Sequence, residues 1–375
     1  MYEDIRPYDD AGTVAALKRA SNNRMLEPIS AFLFPGKDPD ILRNTLNTIH
    51  GVDDFQTRVM YPAVRSILGK TTRGLTFEGL GHFAGGRCYT MLSSHRDIVL
   101  DSAFIQFIFK DNGLPLSEIA VGDNLLYNAF LEDLMRSNRM IKVVRSTNPR
   151  EVYETSCNLS SYIRMRLHDE QPASIWISHR NGRTKDGSDT TEQGLLKMLS
   201  LSGSSDFAAN IRELNLMPVA VSYEIESCAI KKACEIYVKK KSGTYVKRPG
   251  EDLESIVTGI VQQKGRVHVA FCDPITEDEL AFCASFDKNE RFRRLAALVD
   301  TRILSAWRIW PSQIAAAELL EGRQPSDKAA TERFERYLKE ELNSLPRPYE
   351  RRAIHEQLLR IYAMPVLRRR EQTGC

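Results

Sequence analysis

The chain has 375 residues, with 52 Lys and Arg against 49 Asp and Glu and 42% hydrophobic residues. Near-balanced charge excludes a dedicated nucleic-acid binder, and the length admits one large domain or a catalytic domain with helical additions. No apolar run approaches the roughly 18 residues of a membrane span, Met1-Tyr2-Glu3-Asp4-Ile5-Arg6 lacks a signal peptide's apolar core, and the seven scattered cysteines, with no CxxC pair, argue for reduced thiols rather than a zinc cluster.

Residues 1–74 read as a helical N-terminal segment. Thr13 to Ala20 is helix-like, Leu26 to Leu33 is apolar and stopped by Phe34-Pro35-Gly36, and Asp40 to His50 begins on a capping aspartate and ends at Gly51. Phe55 to Leu68 carries Val59, Met60, Ala63, Val64 and Ile67 near helical spacing. The texture changes at Gly74. Strands are predicted at 74–79, 88–92, 119–122, 140–145, 173–178, 216–223 and 267–271, with helices after Asp101, at 125–135 and at 151–168. This alternation over 75–276 predicts an α/β layered core with a largely parallel sheet flanked by helices. From 277 to 375 the pattern is helical, clearest at 294–310 and 329–342.

The stretch Ser93-Ser94-His95-Arg96-Asp97-Ile98-Val99-Leu100-Asp101 joins a predicted strand to a predicted helix. Open α/β sheets place chemistry at such junctions. This one offers a neutral-pH base, a carboxylate to orient it and the positive end of a helix. Asp97 and Asp101 both stand as candidate partners of His95. His95-Arg96-Asp97 also spells the start of a kinase catalytic loop, but Ser102 stands where that loop needs an Asn, and Asp206-Phe207-Ala208 lacks the glycine of Asp-Phe-Gly. A kinase is excluded.

Three further segments follow. Met140-Ile141-Lys142-Val143-Val144-Arg145 is a strand ending in a cation. Ile175-Trp176-Ile177-Ser178 opens into the loop His179-Arg180-Asn181-Gly182-Arg183-Thr184-Lys185. Leu216-Met217-Pro218-Val219-Ala220-Val221-Ser222-Tyr223-Glu224 is a strand with a proline near its start. These four segments, in this order, resemble the four blocks of the glycerolipid acyltransferases, the glycerol-3-phosphate and 1-acylglycerol-3-phosphate acyltransferases. Gly265 to Ile275 is similar to the family's last core strand. The family's first block is His, four residues, Asp, whereas five residues separate His95 from Asp101. The glutamate of the third block is Asn181, its Arg-Ser pair is Arg183-Thr184, and a glycine of the second block is Asn138.

The resemblance implies an O-acyltransferase of phospholipid biosynthesis. It would move a fatty acyl group from acyl-CoA or acyl carrier protein to a hydroxyl of glycerol 3-phosphate or lysophosphatidate. It implies His95 as general base, its tautomer fixed by Asp101, the preferred partner, with Asp97 as its competitor. Arg145, Arg183, Lys185 and Arg96 would bind phosphate, and Asn181, Gly182, Thr184 and Pro218 would line the pocket. Backbone amides at the helix start are expected to hold the oxyanion. No metal and no cofactor beyond the acyl donor is expected. A lipid product implies a cytoplasmic protein held peripherally on the inner face of the membrane, through Ile105 to Phe109 and the basic Val366-Leu367-Arg368-Arg369-Arg370. His179 and His268 are expected to be structural, Trp307 and Trp310 core, and Tyr223-Glu224 core or rim. Two other readings stand beside this one: an inactive acyltransferase-like scaffold, and another phosphate-handling α/β enzyme built on the Gly182 loop, although no P-loop signature is present.

Overall fold

Side chains that alternate along seven strands bury two opposite faces of one sheet. The strands are β1 (Thr72–Glu78), β2 (Thr90–Ser93), β3 (Glu118–Gly122), β4 (Met140–Val143), β5 (Ile175–Ser178), β6 (Leu216–Tyr223) and β7 (Gly265–Phe271), in the order β1-β7-β6-β2-β5-β3-β4. Only the β6–β7 pairing is antiparallel among the described residues. The computed structural model describes residues 2–346 and 349–373. It is an α/β protein with the largely parallel, helix-flanked sheet expected from the alternation of elements.

Helices α1 (Asp10–Ala20), α2 (Leu26–Leu33), α3 (Ile41–Leu46), α4 (Val52–Phe55) and α5 (Tyr61–Thr71) precede the sheet. Its strands are connected by α6 (Leu100–Asp111), α7 (Ala129–Ser137), α8 (Pro149–His168), α9 (Gln193–Leu199), α10 (Phe207–Arg212), α11 (Ala229–Ser242) and α12 (Glu251–Val261). Then come α13 (Glu277–Ala284), α14 (Glu290–Ala306), α15 (Pro311–Glu321), α16 (Lys328–Asn343) and α17 (Arg351–Thr373).

Period-two alternation sends Leu92, Ile175, Ile177 and Ala220 to one face, where they meet Leu159 and Ile163 of α8 and Leu295 and Val299 of α14. Met91, Trp176, Val219 and Val221 go to the other face, against Ile67 of α5 and Phe104, Ile105 and Ile108 of α6. Helices α11, α15, α16 and α17 share a separate apolar cluster around Ala316, Phe334, Leu358 and Tyr362.

The helices depart from the sequence reading where proline intervenes. The pattern at 55–68 is split by a π-helical turn, Gln56–Met60, just before Pro62 near the start of α5. That proline has no N–H for the carbonyl four residues back. The pattern at 294–310 ends at Ala306, where Trp307 turns to an extended conformation, and Pro311 opens α15 after an extended Trp310.

Among the described residues, no helix is long and apolar enough to cross a membrane. Both stretches expected to meet a bilayer are engaged inside the protein. Ile105, Ile108 and Phe109 are core residues. Arg369 donates to the carbonyls of Leu304, Ser305 and Trp307, closing the end of α14, and Arg370 pairs with Glu321.

Gly79, which ends β1, shows why one turn requires glycine. Its φ is +84°, and a Cβ there would lie 2.0 Å from the Phe271 carbonyl oxygen on β7. Gly79→Ala is expected to cost at least about 2 kcal/mol. Gly81→Ala, with nothing within 4 Å, is expected to stay within about 0.5 kcal/mol of wild type. Chemical denaturation of the two variants checks the contrast.

Candidate active site

The C-terminal ends of parallel strands are where the chain can present loops without disturbing the sheet. Here the ends of β2, β3, β4 and β5 open on one cavity of about 330 Å³. Its polar side carries His95, Arg145, Arg180, Asn181, Gly182 and Arg183, and its apolar wall includes Ile119, Val121, Met140, Trp176, Leu195 and Met198.

His95 follows β2. Its Nδ1 lies 2.9 Å from Asp101 Oδ2. The same oxygen accepts the backbone N–H groups of Arg96 (2.6 Å) and Asp97 (2.9 Å). The other oxygen accepts the Tyr223 hydroxyl at 2.6 Å. Asp101 is fully buried, so its charge depends on these donors. A carboxylate accepts only, so Nδ1 carries the proton and Nε2 of neutral His95 keeps its lone pair. Nε2 has no partner among the described residues, and the ring is 13% exposed. Trp176 meets it edge to face, with ring centroids 5.5 Å apart. Burial, then the charges of Asp101 and Asp97, raise the Tyr223 hydroxyl well above its ordinary range, so it stays a donor.

Asp97 has a different task. Its Oδ1 accepts the N–H groups of Val99 and Leu100, each at 2.9 Å, and Oδ2 accepts the Ser227 hydroxyl. It caps the start of α6 and makes no hydrogen bond to the imidazole among the described residues, which corrects its standing as a competing partner. It also occupies two of the amides expected to hold an oxyanion. The Ile98 amide, from a residue that lines the cavity, has no acceptor among the described residues.

Three guanidiniums lining the cavity, those of Arg145, Arg180 and Arg183, have no carboxylate within 4 Å among the described residues. Arg183 Nη1 and Arg180 Nε are buried with no hydrogen-bond partner. Arg145 lies over Gly122, where a Cβ would come within 2.8 Å of its Nε and 2.9 Å of its Nη2. Lys247 also lines the cavity and pairs with Asp252 at 2.6 Å. Such an excess of unpaired cations on a partly buried surface favours an anionic ligand.

The other expected residues lie off the cavity. Arg96 is 1% exposed; it is held by Asp189 and Glu226 and covered by Trp307, 4.4 Å from its ring centroid. Lys185 is held by Glu235, and burial, then the nearby charges of Lys247 and Arg183, lower it to about 8. Thr184 is buried, donating its N–H to the His95 carbonyl (2.7 Å) and its hydroxyl to Asp189 (2.6 Å). Pro218 is buried within β6, paired in register with Leu92. Each is engaged with protein groups, so none is free to meet a ligand as it stands. Arg180, Trp176 and Lys247 were not singled out by sequence reasoning as site groups, the Ile98 amide is one of the helix-start amides expected there, and Tyr223 was expected only as core or rim. Only the position of Tyr223 at a strand end beside β2 hinted at its role.

No protein-family model matches the chain, and no curated protein does. Among solved structures it is similar to the crystal structure of the 1-acyl-sn-glycerophosphate (LPA) acyltransferase PlsC from Thermotoga maritima. The TM-score is 0.41 and the identity 9%, over 80% of this chain and 97% of that one.

Behind His95 lies His179, fully buried. Thr191 gives its hydroxyl proton to Asp300, so His179 Nδ1–H donates to Thr191 Oγ1 at 3.0 Å, and Nε2, 3.9 Å from Asp189 Oδ1, has no hydrogen-bond partner among the described residues. Burial, then Arg180, depress its pKa from 6.5 to about 3. The unfolded chain therefore takes up this proton before the folded one. The stability contribution is full above about pH 6.5 and declines as pH falls toward 3, by up to about 1.4 kcal/mol per unit. His179→Asn keeps a donor for Thr191 and removes the titration. Its melting temperature should fall less steeply than that of wild type between about pH 6.5 and pH 5; parallel slopes in thermal melts would contradict this origin.

Proposed function

We propose that this chain is an acyltransferase that moves an acyl group from a thioester to a hydroxyl of a glycerol phosphate, the acceptor being glycerol 3-phosphate or lysophosphatidate. One juxtaposition carries the reading: a histidine with a bare Nε2, three unpaired guanidiniums and an apolar wall share one cavity. A base, an anion site and an apolar surface are what this transfer requires.

In this mechanism His95 Nε2 takes the proton of the acceptor hydroxyl as its oxygen bonds to the thioester carbonyl carbon. Asp101, which accepts from four donors, stabilises the imidazolium that forms. The Ile98 amide is the donor available to the developing oxyanion. Collapse of the tetrahedral intermediate breaks the C–S bond, and His95 returns the proton to the leaving thiolate. Arg145, Arg180 and Arg183 neutralise the acceptor phosphate. No covalent acyl-enzyme is required. The donor is acyl-CoA or acyl carrier protein, and the lipid product favours peripheral work at a membrane surface.

The apolar wall has depth to spare. A second cavity of about 60 Å³, between α5 and α6, shares Val99, Ser102, Ile119 and Met140 with the first. An acyl chain lying along Met140 would pass toward Met60, Val64 and Phe107.

The test is acyl transfer by the pure protein, with both donors offered against both acceptors. His95→Ala and Asp101→Asn are expected to lower kcat by roughly 10²- to 10⁴-fold, whereas Asp97→Asn should lower stability by about 1 kcal/mol and leave the mechanism intact. No transfer by folded wild-type protein with lipid present would overturn the reading in favour of a binding protein. A second measurement concerns the wall: Met140→Trp should shift the donor preference toward shorter chains, read as the ratio of kcat/KM for long and short acyl donors.

A further inference from the structure

The cation-bearing loop after β5 is pressed between two unrelated parts of the chain. On one side is the His95 segment. His179 N–H donates to the Ser93 carbonyl (2.9 Å), Thr184 N–H to the His95 carbonyl (2.7 Å), and Arg96 reaches the Gly187 carbonyl (3.3 Å) and the Asp189 carboxylate. On the other side are α14 and α17. Asp300 of α14 accepts the N–H of Thr191 at 2.8 Å. Arg368 of α17 donates to the carbonyls of Ser188 and Asp189 and lies 3.7 Å from Asp300.

The closest approach has a covalent cause. Pro365 sits inside α17, so the carbonyl four residues back, that of Ile361, receives no N–H from it. Gly187 faces that carbonyl. Its φ is +83°, and a Cβ there would lie 2.5 Å from Ile361 O and 2.9 Å from Met364 Cβ. Only a glycine admits this contact, which directs its Cα–H at the carbonyl oxygen. The site of contact on the helix is thus the carbonyl to which Pro365 can donate no N–H.

We propose that α17 is a positioning element of the anion site. The Ile361 carbonyl and the Arg368 guanidinium seat residues 187–190, and through Thr184 they set where Arg180 and Arg183 stand relative to His95. The proposal rests on the reading of this cavity as an anion site. It makes Pro365 and Arg368 positioning residues, neither of which lines the cavity.

Calorimetric titration of the full chain with sn-glycerol 3-phosphate and with inorganic pyrophosphate tests this, alongside steady-state kinetics and thermal melts. Arg368→Ala should weaken binding roughly tenfold or more, with Arg368→Lys in between. The discriminating variant is Pro365→Ala. It restores an N–H to Ile361 O, so the fold should hold and the melting temperature should not drop, yet binding should weaken severalfold. In kinetics both variants should raise the acceptor KM and leave kcat within about twofold. Wild-type affinity for the probes in both variants would overturn the proposal, as would weakening only in step with loss of melting temperature. Wild-type protein that binds neither probe would overturn it together with the anion reading. Binding that the variants weaken, in a protein that transfers no acyl group, would sustain the positioning role and overturn the acyltransferase reading alone.

Discussion

The fully buried carboxylate of Asp101 is the constraint on which the rest of this site depends. A buried charge with no cation beside it must be surrounded by donors, or it destabilises the fold by several kcal/mol. The chain supplies four: the His95 imidazole, the backbone amides of Arg96 and Asp97, and the Tyr223 hydroxyl. Meeting that demand draws the end of β2, the first turn of α6 and the end of β6 to one point. The five residues between His95 and Asp101 follow from the same need, because the segment must curl to bring two successive amides and an imidazole to one oxygen. Orientation of His95 is then a by-product of satisfying a buried charge.

A second kind of charge sits a few residues away and is treated oppositely. Arg96, Lys185 and Lys232 are matched to Asp189, Glu226 and Glu235 away from the cavity, with Trp307 stacked on the Arg96 guanidinium. Among the described residues, Arg145, Arg180 and Arg183 around the cavity have no carboxylate partner. The first group holds loops together; the second creates a field that only an anion can relieve. Adjacent residues thus divide the work, since Arg183 faces the cavity while Thr184 and Lys185 anchor the loop that carries it. The helical C-terminal region joins this division of labour through α17, whose hydrogen-bond ladder, interrupted at Pro365, meets Gly187.

Much of this was legible in the residues alone. Strand–helix alternation, with Val, Ile and Leu runs bounded by glycine and polar turns, determined the layered α/β core and the largely parallel sheet, because burial on two faces requires both the period and the order of elements. It also located His95 at a strand end and Arg145 and the Arg183 loop at two others, since those runs stop where their apolar residues do. The helix limits before Pro62 and Pro311 were less legible, because apolar spacing continues through both breaks. Tertiary structure alone decided which aspartate meets His95, which cations stay free and which are consumed by Asp189, Glu226 or Glu235. It alone revealed Tyr223 as a donor to Asp101 and α17 as a wall of the loop after β5. The physical reason is common to all of these: periodicity is a property of neighbours along the chain, whereas the state of a charge is set by groups that approach through space, from residues as far apart in sequence as Asp101 and Tyr223 or Gly187 and Ile361.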